Sequence, residues 1–266
     1  MTDGLSLTFL GTGTSAGVPM IGCHCEVCTS DDPRDRRTRC SVVVAYGDTR
    51  VLVDTTPELR MQCVANNVDR IDAVVFTHGH ADHVTGLDDC RRFNAIKNGP
   101  LDAWADRRTH ATLRQMFPYA LSDADGPMKL FRPKLVPRLI DGPFTIGGAT
   151  WTPIEYPHSN VPALGLRISI GDRRDLAYCT DCNEMPPAAR DQLRGLDTLI
   201  LDALQPTKHP THLTINEALE VVVDVKPRRA LFTHMSHGVL HARESATLPP
   251  GVEFAYDGLK IGTGHG

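Results

Sequence analysis

The sequence has no run approaching the ~20 apolar residues that a membrane helix requires. Its amino terminus, MTDGLSLTFLGTG, lacks the basic start, apolar stretch and small-residue cleavage site of a signal peptide. A cytoplasmic location and no membrane partner are the expectations. Low-complexity segments are absent, and so is any repeat at the ~20–50-residue periods of solenoids and propellers. Positive charge is not in surplus either. The 28 basic and 32 acidic residues give a formal charge of −4, which speaks against a chain built to hold a long nucleic acid. Hydrophobic residues at 41% and charged residues at 23% exclude a disordered chain, a collagen and a coiled coil.

What is present suffices for one core. A chain of 266 residues removes about three quarters of its surface from water on folding, and a single domain over residues 1–266 is expected. Strands are predicted over the β-branched runs Leu5–Leu10, Cys40–Ala45, Val51–Val53, Ala73–Phe76, Thr150–Ile154, Leu164–Ile170, Leu176–Tyr178, Thr198–Leu201 and Ala230–Phe232. Helical patterns fill His83–Ile96, Arg107–Met116, Pro186–Leu193 and Ile215–Asp224. Thr214 with Glu217 has the spacing of a capping box for the last of these, and Asp141-Gly142-Pro143 marks a turn inside the domain. The order implies α/β layers with mixed sheets.

The densest chemistry is Thr77-His78-Gly79-His80-Ala81-Asp82-His83. Three imidazoles and a carboxylate at a strand end cannot all enter an apolar core without partners. They are the nitrogen and oxygen ligands that zinc, manganese and iron accept. In an extended segment His78 and His80 point one way. Asp82 and His83 begin a helix and can face a second ion. Further ligands should sit at other strand ends, where His158, Asp181 and His234 each follow an apolar run.

Gly22-Cys23-His24-Cys25-Glu26-Val27-Cys28 is the second cluster. A reducing compartment leaves cysteines as thiols or metal ligands. Three thiols over six residues therefore read as a structural zinc knuckle at 23–28, with His24, Cys40 or a distant residue as the fourth ligand. Cys179 and Cys182 read as small buried thiols. Gly11, Gly13 and Gly17 lack the helix that a dinucleotide fingerprint needs. They read as a tight turn where backbone can approach a substrate phosphate. Arg91 and Arg92 are candidate phosphate contacts, with an exposed helical face as the alternative. Arg34, Arg36, Arg37 and Arg39 read as a solvated basic loop. His24, His110, His209, His241 and His265 carry no functional reading.

These residues resemble the metallo-β-lactamase superfamily of metal-dependent hydrolases. Asp54 looks like its first motif and Thr77–His83 its second. His158, Asp181 and His234 look like the remaining three. The resemblance implies an αββα sandwich of mixed sheets and two divalent cations, manganese or zinc. His78, His80 and His158 would hold one ion. Asp82, His83 and His234 would hold the other, with Asp181 between them. Gly11–Thr14, Val18-Pro19 and the Gly-Cys-x-Cys-x-x-Cys segment narrow the resemblance to PhnP-type phosphodiesterases. In that branch the fourth ligand of a structural zinc matches His237. His212, the match to a histidine that assists the leaving group, becomes the general acid and a substrate contact. Asp82 and Asp54 join His212 as catalytic groups.

The implied activity is hydrolysis of small cyclic phosphodiesters by attack of a metal-bridging hydroxide. Phosphoribosyl 1,2-cyclic phosphate and 2′,3′-cyclic nucleotides are the implied substrates, and nucleotide monophosphates the product-like ligands. Relatives of this type are often dimers, which makes a homodimer the expected assembly. The rivals are a tRNA-processing nuclease, a PqqB-like non-hydrolytic metal-binding protein and a glyoxalase-type thioester hydrolase. The chain has no long Gly/Lys-rich insertion to serve as an RNA arm, and the full histidine set disfavours the second rival.

Overall fold

Val42, Val43 and Val44 show how this sequence builds layers. Successive side chains of a strand face opposite ways. Val42 and Val44 enter one apolar core and Val43 another. Leu199 and Leu201 likewise part from Ile200, and Ala230 and Phe232 from Leu231. Strands apolar on both faces must be covered on both faces, so each sheet lies between its partner sheet and a layer of helices.

The computed structural model describes residues 4–121, 131–173 and 175–263. Its first half contains β1 (Ser6–Gly11), β2 (Ser41–Tyr46), β3 (Thr49–Val53), α1 (Leu59–Ala65), β4 (Ala73–Val75), α2 (Ala81–Val84), α3 (Cys90–Lys97), β5 (Leu101–Ala105), α4 (Arg107–Met116) and β6 (Leu135–Leu139). Then follow β7 (Phe144–Ile146), β8 (Ala149–His158), β9 (Val161–Ser169), β10 (Leu176–Cys179), α5 (Pro187–Leu193), β11 (Thr198–Asp202), α6 (Ile215–Val225), β12 (Arg229–Thr233), α7 (His241–Ser245), β13 (Val252–Phe254) and β14 (Lys260–Gly262).

One sheet has the order β14-β1-β2-β3-β4-β5-β6 and the other β13-β12-β11-β10-β9-β8-β7. Both run antiparallel through their first four strands when counted from β14 and from β7. Both continue in parallel from there, through β3-β4-β5-β6 and through β10-β11-β12-β13. Trp151, Tyr178, Leu166 and Val75 fill the space between the sheets. Helices α1, α3 and α4 cover one outer face with Leu59, Phe93 and Leu113. Helices α5 and α6 cover the other with Leu193, Ala218 and Val221. This is the expected four-layer αββα sandwich. Among the described residues no helix is long and apolar enough to cross a membrane.

Helix α4 and the start of α6 fall where the pattern puts them, and Thr214 and Glu217 form the reciprocal capping box. The continuous helix expected over His83–Ile96 is broken into α2, a 3-10 turn at Leu87–Asp89, and α3. The cause is close backbone approach. A Cβ on Gly86 would lie 1.9 Å from the Thr56 carbonyl oxygen. Thr55 N–H donates to His83 O (2.7 Å) and Gly86 N–H to Thr55 O (3.0 Å). The interruption clamps the loop after β3 to the helix that carries His83.

Two loop expectations are corrected. Arg37 is not solvated: it is 1% exposed. Its guanidinium donates to Asp35 Oδ1 (2.8 Å), Ser236 O (3.0 Å) and Val239 O (2.8 Å). Gly11 and Gly13 serve packing rather than substrate, because a Cβ on either would meet the carbonyl oxygen of Arg39 or Arg37 within 2.8 Å. Arg37 thus ties the amino-terminal loop to the segment after β12. Arg37→Met takes the charge partner from a buried carboxylate, which keeps only Ser30 Oγ and His241 N–H, and the guanidinium donors from two carbonyls. It should cost about 3–5 kcal/mol, read as a lower urea midpoint at unchanged slope. A midpoint equal to that of the parent chain would remove this strap from the account.

Candidate metal centre

The parallel strands deliver their carboxyl-terminal ends to one rim of the sandwich, where α/β sheets bind ligands. Asp54 follows β3, Thr77–His83 follow β4, Asp181 follows β10 and His234 follows β12. His158 ends the antiparallel strand β8. Asp54, Asp181 and His234 all have left-handed backbones, with φ of 62°, 56° and 61°. Such conformations cost roughly 1–3 kcal/mol each outside glycine and gather at functional sites. Here they turn each side chain over the rim as its strand ends.

His78, His80 and His158 offer ligand atoms within 4.8 Å of one another, and so do Asp82, His83, Asp181 and His234. The two groups meet at Asp181. Its Oδ1 is 3.2 Å from His234 Nε2 and 3.5 Å from His158 Nε2, and its Oδ2 is 3.2 Å from His83 Nε2. His80 Nδ1 lies 3.2 Å from His158 Nε2. Neighbouring ligand atoms on a tetrahedral zinc stand roughly 3.3 Å apart when both bonds are ~2.0–2.1 Å long.

Three histidines are held from behind. His83 Nδ1 donates to Asp54 Oδ2 (2.8 Å) and His158 Nδ1 to Thr211 O (3.1 Å). Thr77 Oγ1 donates to Asp54 Oδ2 (2.8 Å), so it accepts from His78 Nδ1 (3.0 Å). Each Nε2 lone pair is therefore directed inward, the arrangement by which second partners orient ligating imidazoles. The buried Nε2 atoms of His78, His83 and His234 have no hydrogen-bond partner among the described residues. Unsatisfied buried nitrogens are costly, and a cation satisfies them. The residues fit a divalent metal pair on this ground.

Electrostatics agree with that fit. Burial holds His78 well below the usual imidazole range and His234 down at about 3, so both lone pairs are free. Burial opposes charge on Asp181, but His234 and His83 override it and hold the carboxylate ionised. Burial also opposes a proton on His83, yet Asp181, Asp54 and Asp82 raise its affinity well above the ordinary value. A ring of three carboxylates calls for a cation, whether proton or metal.

His212 lies in the same cavity, stacked on His234 with ring centroids 4.6 Å apart. Its Nδ1 donates to Asp202 Oδ2 (2.7 Å), which also accepts Cys182 N–H (2.8 Å). Burial lowers the His212 pKa, but the Asp202 carboxylate overrides it and the net direction is upward. Asp202 escaped the sequence reading. Its signal was there, because it closes the run Thr198–Leu201 as Asp54 closes Val51–Val53. His209 also lines this cavity, against the expectation of an ordinary loop residue. The part of the glycine turn at the cavity is Thr14–Ala16.

Arg91 stands elsewhere. It lines a separate groove beside α1 and α3, paired with Asp88 (2.7 Å) and lying over Phe131. Arg92 lines that groove too, so the exposed-face alternative describes both arginines.

Cys23, Cys25, Cys28 and His237 form a second cluster, again within 4.8 Å. His237 Nδ1 is 3.2 Å from Cys23 Sγ and 3.5 Å from Cys25 Sγ, close to the edge of about 3.5 Å for mixed sulfur and nitrogen ligands on tetrahedral zinc. Cys28 N–H, pointing at Cys25 Sγ, leads the effects that lower that thiol to about 6, and burial pushes Cys28 up to about 11. Cys40 is not in this group; it is buried against Thr233. His24 is exposed. Cys179 and Cys182 are fully buried free thiols.

Residues 49–235 match the family described as a beta-lactamase superfamily domain. The chain belongs to that superfamily. Within it the chain is 39% identical to a crystal structure described as a new diphosphatase from the PhnP family, with a TM-score of 0.88 and 97% of each chain covered. It is 33% identical to a Porphyromonas gingivalis protein named octanoyltransferase, across 94% of this chain but only 50% of that protein. The chain thus spans about half the length of that relative. Coenzyme PQQ synthesis protein B of Xanthomonas axonopodis pv. citri is 26% identical, over 97% of this chain and 99% of that one. The chain is PhnP-like within that superfamily and has the metallo-β-lactamase fold, and divalent metal ions go with that fold.

Proposed function

We propose that this protein is a metal-dependent phosphodiesterase of small cyclic phosphodiesters, either phosphoribosyl 1,2-cyclic phosphate or 2′,3′-cyclic nucleotides. One observation carries the reading. Five members of a nitrogen-and-carboxylate donor set (His80, Asp82, His158, Asp181 and His234) and a carboxylate-backed histidine line one cavity of about 360 Å³. That is the scale of a pocket for one small ligand.

His78, His80 and His158 would hold one cation, and Asp82, His83 and His234 the other, with Asp181 common to both. Cations held there supply charge neutralisation at phosphorus and a nucleophile at neutral pH. Manganese or zinc fits the donors. The chain does the rest. Asp54 fixes the His83 ring, and Thr77 fixes His78. Asp202 holds His212 so that Nε2 can give a proton to the departing alkoxide oxygen. Cys23, Cys25, Cys28 and His237 would hold a structural zinc that braces this wall of the cavity.

A hydrolysis screen tests the reading. It pairs 2′,3′-cyclic nucleotides and bis-p-nitrophenyl phosphate with a nucleoside diphosphate, a lactam and a thioester, each with manganese or zinc added. Cleavage of the phosphodiesters alone is expected. Preference for the nucleoside diphosphate would move the substrate class to diphosphates, the activity stated for the 39% identical relative. Preference for the lactam or thioester would end the phosphodiesterase reading.

A further inference from the structure

Two of the six histidines that line the cavity, His212 and His209, are held in opposite ways. His212 and His209 have ring centroids 5.3 Å apart. His212 is bonded through Nδ1 to a carboxylate. His209 is bonded in the opposite sense. Thr211 N–H points at His209 Nδ1 (3.4 Å), and the Thr211 hydroxyl lies 3.2 Å from the same atom. A backbone N–H can only donate, so Nδ1 must accept. The hydrogen of the neutral ring then sits on Nε2. One imidazole is set up as a proton donor that changes charge, and the other as a fixed neutral hydrogen-bond donor.

The loop carrying His209 is closed at its base. Leu204 N–H donates to Leu213 O (3.0 Å) and Ile215 N–H to Gln205 O (3.0 Å). Pro206 and Pro210 stiffen it between those bonds. The ring is half-buried, so its position is defined while one edge stays accessible. Besides the aspartates, the other histidines and the apolar Ala16, Met20 and Leu204, the same cavity is lined by uncharged polar residues, among them Thr14, Ser15, Gln205, Thr211 and Ser236. Neutral hydroxyl, amide and imidazole groups suit a polyhydroxylated alcohol, whose oxygens accept and donate in turn.

We propose that His209 is a specificity-determining residue: its Nε2–H donates to a hydroxyl or ring oxygen of the sugar whose alkoxide His212 protonates. This rests on the phosphodiesterase reading, whose substrates carry a ribose, and adds to it the residue that recognises that sugar. His209 takes no part in bond breaking. It selects substrates whose leaving side carries oxygen acceptors.

The test uses the metal-loaded full chain with His209→Ala and His209→Gln. KM and kcat are measured for a 2′,3′-cyclic nucleotide and for bis-p-nitrophenyl phosphate. Calorimetry measures binding of a 3′-nucleoside monophosphate and of inorganic phosphate. His209→Ala should raise KM for the cyclic nucleotide about tenfold, the value of one hydrogen bond, with kcat within about threefold. Nucleoside monophosphate binding should weaken by a similar factor, and by more than phosphate binding does. His209→Gln, which keeps an N–H donor, should restore most of the difference. Equal weakening toward nucleoside monophosphate and phosphate overturns the proposal, because the loss then belongs to the whole site. Parent-like constants in His209→Ala overturn it as well. A parent chain that cleaves the phosphodiesters while either of these holds leaves the functional reading standing and removes only the role of His209. A parent chain that cleaves no phosphodiester overturns both.

Discussion

Replacing His212 by alanine lowers kcat for a sugar phosphodiester by about 10²–10⁴-fold, the usual worth of a positioned general acid. The loss on bis-p-nitrophenyl phosphate is much smaller, because p-nitrophenolate is a stable anion that departs without a proton. This contrast separates an acid from a ligand or a structural support. Metal content, by plasma mass spectrometry, stays at the parent level, since the groups His78, His80, His158 and Asp82, His83, Asp181, His234 are each made without His212, although His212 also lies within 4.8 Å of His158 and Asp181. Equal losses on both substrates, or loss of metal, would take the acid role from His212. Asp202→Asn is the companion change. It keeps the shape and removes the charge that faces His212 Nδ1 at 2.7 Å, so the substrate contrast should persist in weakened form.

Asp181→Asn is the change with the largest expected effect. The carboxylate is 2% exposed, and it faces His83, His158 and His234 within 3.5 Å. Asparagine tolerates the left-handed backbone found there, so the variant should fold, with circular dichroism like that of the parent. It loses the charge that balances cations in both halves of the site. Metal retained by the histidine cluster should fall, while the zinc expected at the cysteines stays. Phosphodiester turnover should drop by at least about three orders of magnitude, the kinetic equivalent of several kcal/mol of charge stabilisation. An Asp181→Asn chain with parent metal content and rate would show that Asp181 joins nothing.

The parts of this site readable in sequence share one physical origin. A strand apolar on both faces announces where it ends, and a ligand-type residue just past that end is delivered to the rim. That logic reaches His78, His80, His158, Asp181 and His234, and it would have reached Asp202 had it been applied to β11. The cysteine segment is readable because three thiols crowd into a few residues. What stays hidden is the residue whose role depends on a partner far away in the chain. Thr77 and Thr211 set imidazole tautomers through a hydroxyl and a carbonyl, and neither leaves a pattern. Arg37 looks like one of four loop arginines until its carbonyl partners, about 200 positions later, arrive around it. Short elements are lost for a related reason. Strands β13 and β14 have three residues each, and such segments gain their stability from the neighbour they pair with rather than from their own composition. The helix expected at His83–Ile96 fails at Gly86, where the demand for close approach comes from Thr56, not from local propensity.

The left-handed turns at Asp54, Asp181 and His234 carry a consequence for anyone who tries to toughen this protein. Glycine is the residue that such torsion angles favour, so a screen that rewards heat resistance alone will reward glycine at two of the proposed ion ligands, Asp181 and His234, and at the aspartate that holds His83. Durable but inert clones are the expected harvest. Selection for robustness in this chain has to be run with catalysis kept under watch.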